Sequence, residues 1–160
     1  MKSIILYYSL SGKTELAAKA IAETTGGVLK KIEETGSRKG ILGFFKSGRD
    51  AMKGRCSEIK PLDFTIDGYD VVFIGTPVWA FKPAPAINTM VSKLDFSGRR
   101  IVIFVTMGGS GAENTIKILT RAVIEKDGTV LDSFAIRTGG GVKDAQIIEK
   151  GREIGKKFTL

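Results

Sequence analysis

Short apolar runs alternate with segments of helical spacing along nearly the whole chain, and this alternation constrains the fold more than any other feature. The first run, residues 4–9, is followed by residues 15–23, whose apolar side chains recur at the spacing of one helical face. Further β-rich runs are residues 28–32, 69–75, 101–106 and 130–136, and further helical segments are residues 85–94, 112–126 and 143–158. The pattern predicts strands connected by helices.

These β-rich runs predict a parallel sheet, because a parallel connection needs a crossover of roughly a dozen residues, which is usually a helix. Residues 69–75 contain consecutive apolar side chains, as is typical of a strand covered on both faces. We therefore expect an α/β fold, a doubly wound sandwich of three layers. With 160 residues and 42% apolar content, the chain suits a single domain over residues 1–160.

The loop after the first predicted strand is rich in groups that bind anions. Its members of interest are Ser9, Ser11, Gly12, Lys13 and Thr14. The hydroxyls, the tight turn that a glycine permits and the first amides of the following helix together favour a phosphate group. Tyr7 stands where a nucleotide triphosphatase loop requires glycine, and a single glycine does not satisfy the dinucleotide-binding fingerprint. The alternative is that Ser11 or Gly12 simply caps the helix.

Ligands of doubly wound sheets bind beyond the carboxyl ends of the strands, so the loops after the third and fourth strands are further candidates. The first of these loops is stiffened by prolines and contains Thr76, Pro77, Val78, Trp79, Ala80 and Phe81. The second is rich in glycine and contains Thr106, Met107, Gly108, Gly109 and Gly111. Together they favour a flat aromatic ligand with a phosphate tail. Alternatively, Trp79 is a core anchor and the glycines only end a strand.

The sequence contains no histidine and one cysteine, Cys56. Nucleophilic catalysis with an imidazole base, most metal hydrolysis and the usual zinc sites are therefore excluded. We predict neither catalytic side chains nor metal ligands. We expect a bound cofactor to supply any redox chemistry, while the protein supplies position and electrostatic field.

The order of elements and the three loops resemble the flavodoxin-like family over nearly the whole chain. The resemblance implies a five-stranded parallel sheet of order 2-1-3-4-5 and one non-covalently bound FMN. By position, the residues at the FMN phosphate would be Ser9, Ser11, Gly12, Lys13 and Thr14. The residues along the isoalloxazine ring would be Pro77, Val78, Trp79, Ala80 and Phe81 on one side and Thr106, Met107, Gly108, Gly109 and Gly111 on the other.

Two features distinguish this chain from electron-shuttling flavodoxins. Those proteins are usually acidic and commonly stack a tyrosine of the third loop on the flavin, whereas this chain has a net charge of +8 and no aromatic residue from Met107 to Gly111. We predict a flavodoxin-type redox protein that transfers electrons through FMN. Because an uncovered ring face would admit a nicotinamide or a quinone, an FMN-dependent NAD(P)H:quinone-type reductase is the alternative. A flavin-free interaction scaffold is a third class.

Much of the positive charge lies in residues 36–60, which contain seven lysines and arginines and two carboxylates. Apolar residues in the same segment fit an amphipathic helix over residues 40–53, so the charge is either a solvated helix face or a docking surface for an acidic redox protein. The chain has no recognised nucleic-acid motif. No signal peptide is evident and no apolar run reaches the roughly 18 residues that a membrane span needs, so we expect a cytoplasmic protein.

Overall fold

The computed structural model of the protein describes residues 1–35 and 56–159. The strands within these residues are β1 (Ser3–Tyr7), β2 (Val28–Lys31), β3 (Val71–Trp79), β4 (Lys82–Pro83), β5 (Arg100–Met107) and β6 (Thr129–Arg137). The helices within them are α1 (Lys13–Thr25), α2 (Pro85–Lys93), α3 (Ala112–Ile124) and α4 (Asp144–Lys156). The amphipathic helix expected over residues 40–53 lies outside the described residues.

The parallel strands of the sheet follow the order β2-β1-β3-β5-β6, and β4 pairs antiparallel with the end of β3. If the two-residue strand β4 is left out, this is the predicted order, so the doubly wound α/β fold is confirmed. β3 lies between β1 and β5, with Val72 paired to Ile4 on one side and to Ile101 on the other. Because these strands are parallel, their carboxyl ends share one edge of the sheet.

The sheet separates two apolar clusters, which gives the molecule its three layers. Ile4 and Leu6 pack with side chains of α2 and α3, whereas Ile5 and Tyr7 pack with side chains of α1 and α4. This division follows from the alternation of side chains along a strand. None of the four is more than 3% exposed. Full burial of an isoleucine or leucine side chain contributes about 1.5–3 kcal/mol.

Local sequence signals determine where the helices begin and end. α1 starts directly after Gly12 and stops at Gly26, and both glycines are left-handed, with φ values of 94° and 66°. The helix predicted over residues 15–23 is therefore two residues longer at each end. Pro85 occupies the first turn of α2, where the missing amide would have no helical partner.

The structure corrects the prediction of a loop over residues 76–79. These residues continue β3, and Lys82–Pro83 returns beside them as β4, so the segment is a hairpin. β1 pairs with β3 only as far as Gly75, whereas β5 accompanies β3 to Pro77. Pro77 thus lies where β3 has lost one neighbour, and a strand tolerates a missing amide there.

Candidate functional site

The ends of β1, β3 and β5 bring the three predicted loops together at the carboxyl edge of the sheet. The amide of Tyr8 donates to the carbonyl oxygen of Gly75 over 3.2 Å, which joins the start of the first loop to β3. The hydroxyl oxygens of Thr14 and Thr106 are 2.7 Å apart, which joins the first loop to the end of β5. Predicted site residues from distant parts of the sequence therefore lie at the same edge of the sheet.

The first loop turns sharply at Gly12. Its φ of +94° lies in the left-handed region, and no atom lies within 4 Å of the position that a Cβ would occupy. The Ser9 hydroxyl oxygen accepts hydrogen bonds from the amides of Gly12, at 3.1 Å, and Glu15, at 3.3 Å. Ser9 is 9% exposed, so its hydroxyl shapes the turn from within the loop.

Several backbone amides of this loop have no acceptor among the residues that the structure describes. These are the amides of Leu10, Ser11, Lys13 and Thr14. The Ser11 side chain is exposed and also has no hydrogen bond to a described residue. Unpaired amides and the partial positive charge of a helix N-terminus are the two properties that bind an anion. The loop is therefore suited to a phosphate.

Lys13, the cation of the first loop, forms an ion pair with the last helix, α4. The Lys13 Nζ lies 2.5 Å from Oδ1 of Asp144, and the two side chains are 38% and 59% exposed. An ion pair this exposed contributes little to stability. Its structural effect is to connect the first turn of α1 with the first turn of α4.

The tip of the β3–β4 hairpin is strained. Ala80 and Phe81 have φ values of +48° and +64°, in a region that costs a residue with a Cβ about 1–2 kcal/mol. The carboxamide nitrogen of Asn114 donates to the carbonyl oxygen of Phe81 over 2.7 Å, which supports this geometry from α3. The Phe81 side chain is nevertheless 59% exposed. Backbone strain of this kind is concentrated at functional sites.

Trp79 lies at the base of this tip and is half-buried. Its indole meets the ring of Tyr8 edge to face, with centroids 5.5 Å apart and planes at 89°, and it packs against the core cluster on the α2 and α3 side. The Thr76 hydroxyl stabilises the base of the hairpin. It accepts a hydrogen bond from the amide of Ala84 at 3.0 Å and donates one to the carbonyl oxygen of Pro77 at 2.8 Å. Trp79 is therefore in part a core residue, which is the alternative role that the sequence offered for it.

The loop after β5 presents bare backbone. Gly108 and Gly109 are exposed, and a Cβ at either position would meet nothing within 4 Å. Met107 is half-buried, and its carbonyl oxygen accepts from the amide and the hydroxyl of Thr138 at 2.8 and 3.1 Å. A planar ligand could approach this backbone closely, because no side chain stands in front of it.

Sequence reasoning missed Asn114, Thr138 and Asp144, which all contact predicted site residues. The glycine run at residues 139–141, directly after a predicted strand, was a signal for one more loop at this edge. That loop packs on the first glycine loop, since a Cβ at Gly139 would overlap the Gly108 carbonyl. Asn114 and Asp144 lie in the first turns of α3 and α4, and no spacing in the sequence marks them as site residues.

Two titrating groups near the first loop have shifted pKa values. The pKa of Glu15 is lowered, chiefly because Lys19 and Lys31 donate hydrogen bonds to its carboxylate. Burial, with smaller contributions from the carboxylates of Glu15 and Glu33, raises the pKa of Tyr7 to about 12. Glu15, the carboxylate closest along the chain to the unpaired amides, is therefore neutralised by two lysines. Tyr7 stays protonated at neutral pH.

The sequence profile of the family described as Flavodoxin matches residues 2–139. The chain is also 30% identical over 139 residues to the flavodoxin-like domain-containing protein BilS of Clostridioides difficile (strain CD3). That match covers 84% of this chain and 64% of BilS, so the chain spans less than two thirds of its curated relative. The profile covers most of the sequence, and the chain belongs to the flavodoxin family.

Solved structures share the fold. A flavoprotein from Lactobacillus acidophilus NCFM, crystallised in complex with FMN, is 23% identical and has a TM-score of 0.73, over 84% of this chain and 92% of its own. Flavodoxin 1 from Bacillus cereus is 18% identical and has a TM-score of 0.63, over 99% and 97% of the two chains. At these identities the likeness establishes the fold alone.

No helix in residues 1–35 or 56–159 is both long enough and apolar enough to cross a membrane. The same residues contain no group of three or more Asp, Glu, Cys or His side chains placed to hold a metal ion.

Proposed function

We propose that the protein binds one FMN non-covalently at the carboxyl edge of its sheet and transfers electrons through it. The observation that carries the proposal is the group of unpaired amides around Gly12, which shares this edge with the bare backbone of Gly108 and Gly109. These surfaces suit a phosphate and a planar ring, so the residues present fit FMN. The Lactobacillus acidophilus flavoprotein, which has the same fold, was solved in complex with FMN.

Two groups of residues would hold the cofactor. Around the phosphate they are Ser9, Ser11, Gly12, Lys13 and Thr14. Along the ring they are Thr76, Pro77, Val78, Trp79, Ala80 and Phe81 in the hairpin and Thr106, Met107, Gly108, Gly109 and Gly111 in the opposite loop. When bound, FMN supplies one-electron and two-electron redox chemistry, which none of these side chains provides by itself.

The chain's own part in this chemistry is binding and positioning. Hydrogen bonds to a charged phosphate contribute about 1.5–3 kcal/mol each, although neighbouring bonds do not add independently. The amides of Ser11, Lys13 and Thr14 have no competing acceptor among the described residues, so they lose no protein hydrogen bond on binding. Trp79, half-buried beside Tyr8, supplies a fixed aromatic surface at the ring end.

The phosphate loop is tested by Ser11→Asp, which places a carboxylate among the unpaired amides. We expect FMN affinity to fall more than about tenfold, because juxtaposed like charges cost several kcal/mol. Ser92→Asp adds the same charge at the exposed end of α2, at the opposite edge of the sheet, and should leave the affinity unchanged. Equal affinity of the wild-type protein and Ser11→Asp in a fluorescence titration would refute the assigned loop.

The open backbone at Gly108 and Gly109 favours a second candidate function. With no side chain in front of these glycines, a hydride donor or a quinone could reach one face of a bound ring, as an NAD(P)H:quinone-type reductase requires. Anaerobic addition of NADH or NADPH to the FMN-loaded protein separates the two functions. Loss of the flavin absorbance without a protein partner selects the reductase, and retention of the absorbance selects the electron carrier.

The partner of an electron carrier would be acidic if the positive charge of residues 36–60 is a docking surface. This segment contributes a net +5 to the total of +8, seven cations against two carboxylates. Charge of this density steers an oppositely charged protein toward its surface, and added salt screens the effect. The rate of electron transfer with an acidic redox protein should therefore fall steeply with ionic strength. A rate that does not change with salt would rule out the docking surface.

A further inference from the structure

The contact between Thr14 and Thr106 joins two parts of the site that are 92 residues apart in sequence. Thr14 lies in the first turn of α1, and Thr106 is the last residue but one of β5. Their hydroxyl oxygens are 2.7 Å apart, and the residues are only 2% and 4% exposed. Two polar side chains are thus buried against each other between the first loop and the glycine loop.

One hydroxyl hydrogen of this threonine pair is left without an acceptor. Each threonine hydroxyl carries a single hydrogen and two lone pairs, and the bond between the two oxygens uses one hydrogen only. Neither hydroxyl has another hydrogen-bond partner among the described residues. A buried donor without an acceptor is unfavourable, and because this pair lies between the first loop and the glycine loop, an acceptor bound at the loops can satisfy it.

The direction of the bond determines what the first loop offers to an anion. If Thr14 donates to Thr106, Thr14 presents only lone pairs to the loop, and these repel an anion. If Thr106 donates to Thr14, the hydrogen of Thr14 is free for an acceptor outside the pair. A phosphate oxygen accepts hydrogen bonds, so an anion at the loop selects the second direction.

We propose that Thr106 is a positioning residue for the phosphate: it donates to Thr14, and the Thr14 hydroxyl in turn donates to a phosphate oxygen. A hydrogen-bonded chain of this kind polarises its members and strengthens the terminal bond. The inference rests on the proposed FMN site. It moves Thr106 from the ring, where sequence resemblance placed it, to the phosphate end.

The test compares FMN with riboflavin, which has the same ring and lacks the phosphate. Both are titrated into the flavin-free chain of 160 residues and its Thr106→Val and Thr106→Ser variants. We expect Thr106→Val to lower FMN affinity about tenfold, because Thr14 is then no longer oriented toward the phosphate and its hydrogen bond to the charged group is lost, while riboflavin affinity changes less than about twofold. Thr106→Ser retains the hydroxyl and should keep the wild-type preference for FMN.

A double-mutant cycle with Thr14→Val tests the relay itself. Because Thr106 acts through Thr14, the double variant should bind FMN no more weakly than Thr14→Val alone. Thr115→Val is the matched control, since the Thr115 hydroxyl is buried without a hydrogen-bond partner in the described part of the chain. This control should leave both affinities unchanged.

Three results would overturn the proposal: equal losses of FMN and riboflavin affinity in Thr106→Val, additive losses in the cycle, or a Thr106→Ser variant that behaves like valine. Circular dichroism verifies the fold of each variant, and if Thr106→Val does not fold, Thr106→Ala takes its place with the same expectations. The proposed function itself fails separately, if the wild-type protein binds no FMN.

Discussion

Gly111 lies directly against Phe81, so that a Cβ at residue 111 would stand 2.9 Å from the Cδ1 of the phenylalanine and 2.8 Å from the Cγ1 of Val78. Gly111 also has a φ of +94°, in the left-handed region. The start of α3 can therefore approach the hairpin only because residue 111 has no side chain. This close approach places the bare glycine loop opposite the strained hairpin tip.

Gly111→Ala should consequently destabilise the flavin-free protein more than Gly12→Ala. Both glycines have a φ of +94°, but a Cβ at Gly12 meets no atom within 4 Å. We expect about 1–2 kcal/mol of backbone strain in each variant and a further 1–3 kcal/mol, approximately, from overpacking in Gly111→Ala. Urea unfolding measures both. Equal losses would mean that the contact with the hairpin carries no cost.

Asn114→Ala should lower the free energy of unfolding by about 0.5–1.5 kcal/mol relative to Asn88→Ala. Both substitutions replace an asparagine by alanine near the start of a helix, which cancels the difference in helix propensity. Only Asn114 makes a side-chain hydrogen bond within the described residues, to the Phe81 carbonyl. If the two variants unfold at the same urea concentration, the hydrogen bond does not support the hairpin tip.

Gly75→Ala should be severely destabilising, because a Cβ at this position would overlap the ring of Phe104 on the neighbouring strand. Both residues lie within the sheet and Phe104 is fully buried, so neither can move aside without repacking. Replacing Phe104 by leucine in the Gly75→Ala background should restore part of the loss, although Phe104→Leu alone is destabilising. Strictly additive effects in denaturant unfolding would show that the two positions are independent.

Glu15 should make stability depend on pH. Its pKa in the folded protein is lowered by Lys19 and Lys31, so its contribution is present above the unfolded pKa and is lost as the pH falls through the folded pKa. Glu15→Gln should therefore be less stable than the wild-type protein at neutral pH, and the difference should vanish in acid. Glu23→Gln on the same helix, where Glu23 has no ion pair with a described residue, is the control. A difference that does not change with pH would contradict this account.

The sequence was sufficient to predict the five parallel strands, the four helices of the described residues and the three loops that meet at one edge, because those features follow from local periodicity and from the geometry of parallel sheets. The sequence was not sufficient to predict the β3–β4 hairpin. Pro77 indicates a loop unless the pairing of β1 with β3 is known to end at Gly75, and neither Ala80 nor Phe81 is a residue type that indicates a left-handed turn.

The pairing of polar groups within the site was also beyond prediction. Thr14 and Thr106, like Lys13 and Asp144, come from distant segments, and only the packed fold brings their side chains within hydrogen-bond distance. The Thr14 hydroxyl, predicted as a phosphate ligand, is thus paired with the hydroxyl of Thr106, which was predicted to lie along the ring. Such contacts depend on the relative positions of α1, β5 and α4, which no local pattern contains.

A crystal structure of the protein grown with FMN tests the central claim most directly. We predict the phosphate within about 2.7–3.2 Å of the amides of Ser11, Lys13 and Thr14, and the ring between the β3–β4 hairpin and the 107–111 loop. An FMN phosphate bound away from α1, or a ring located outside the space between these two loops, would contradict the assignment of the site.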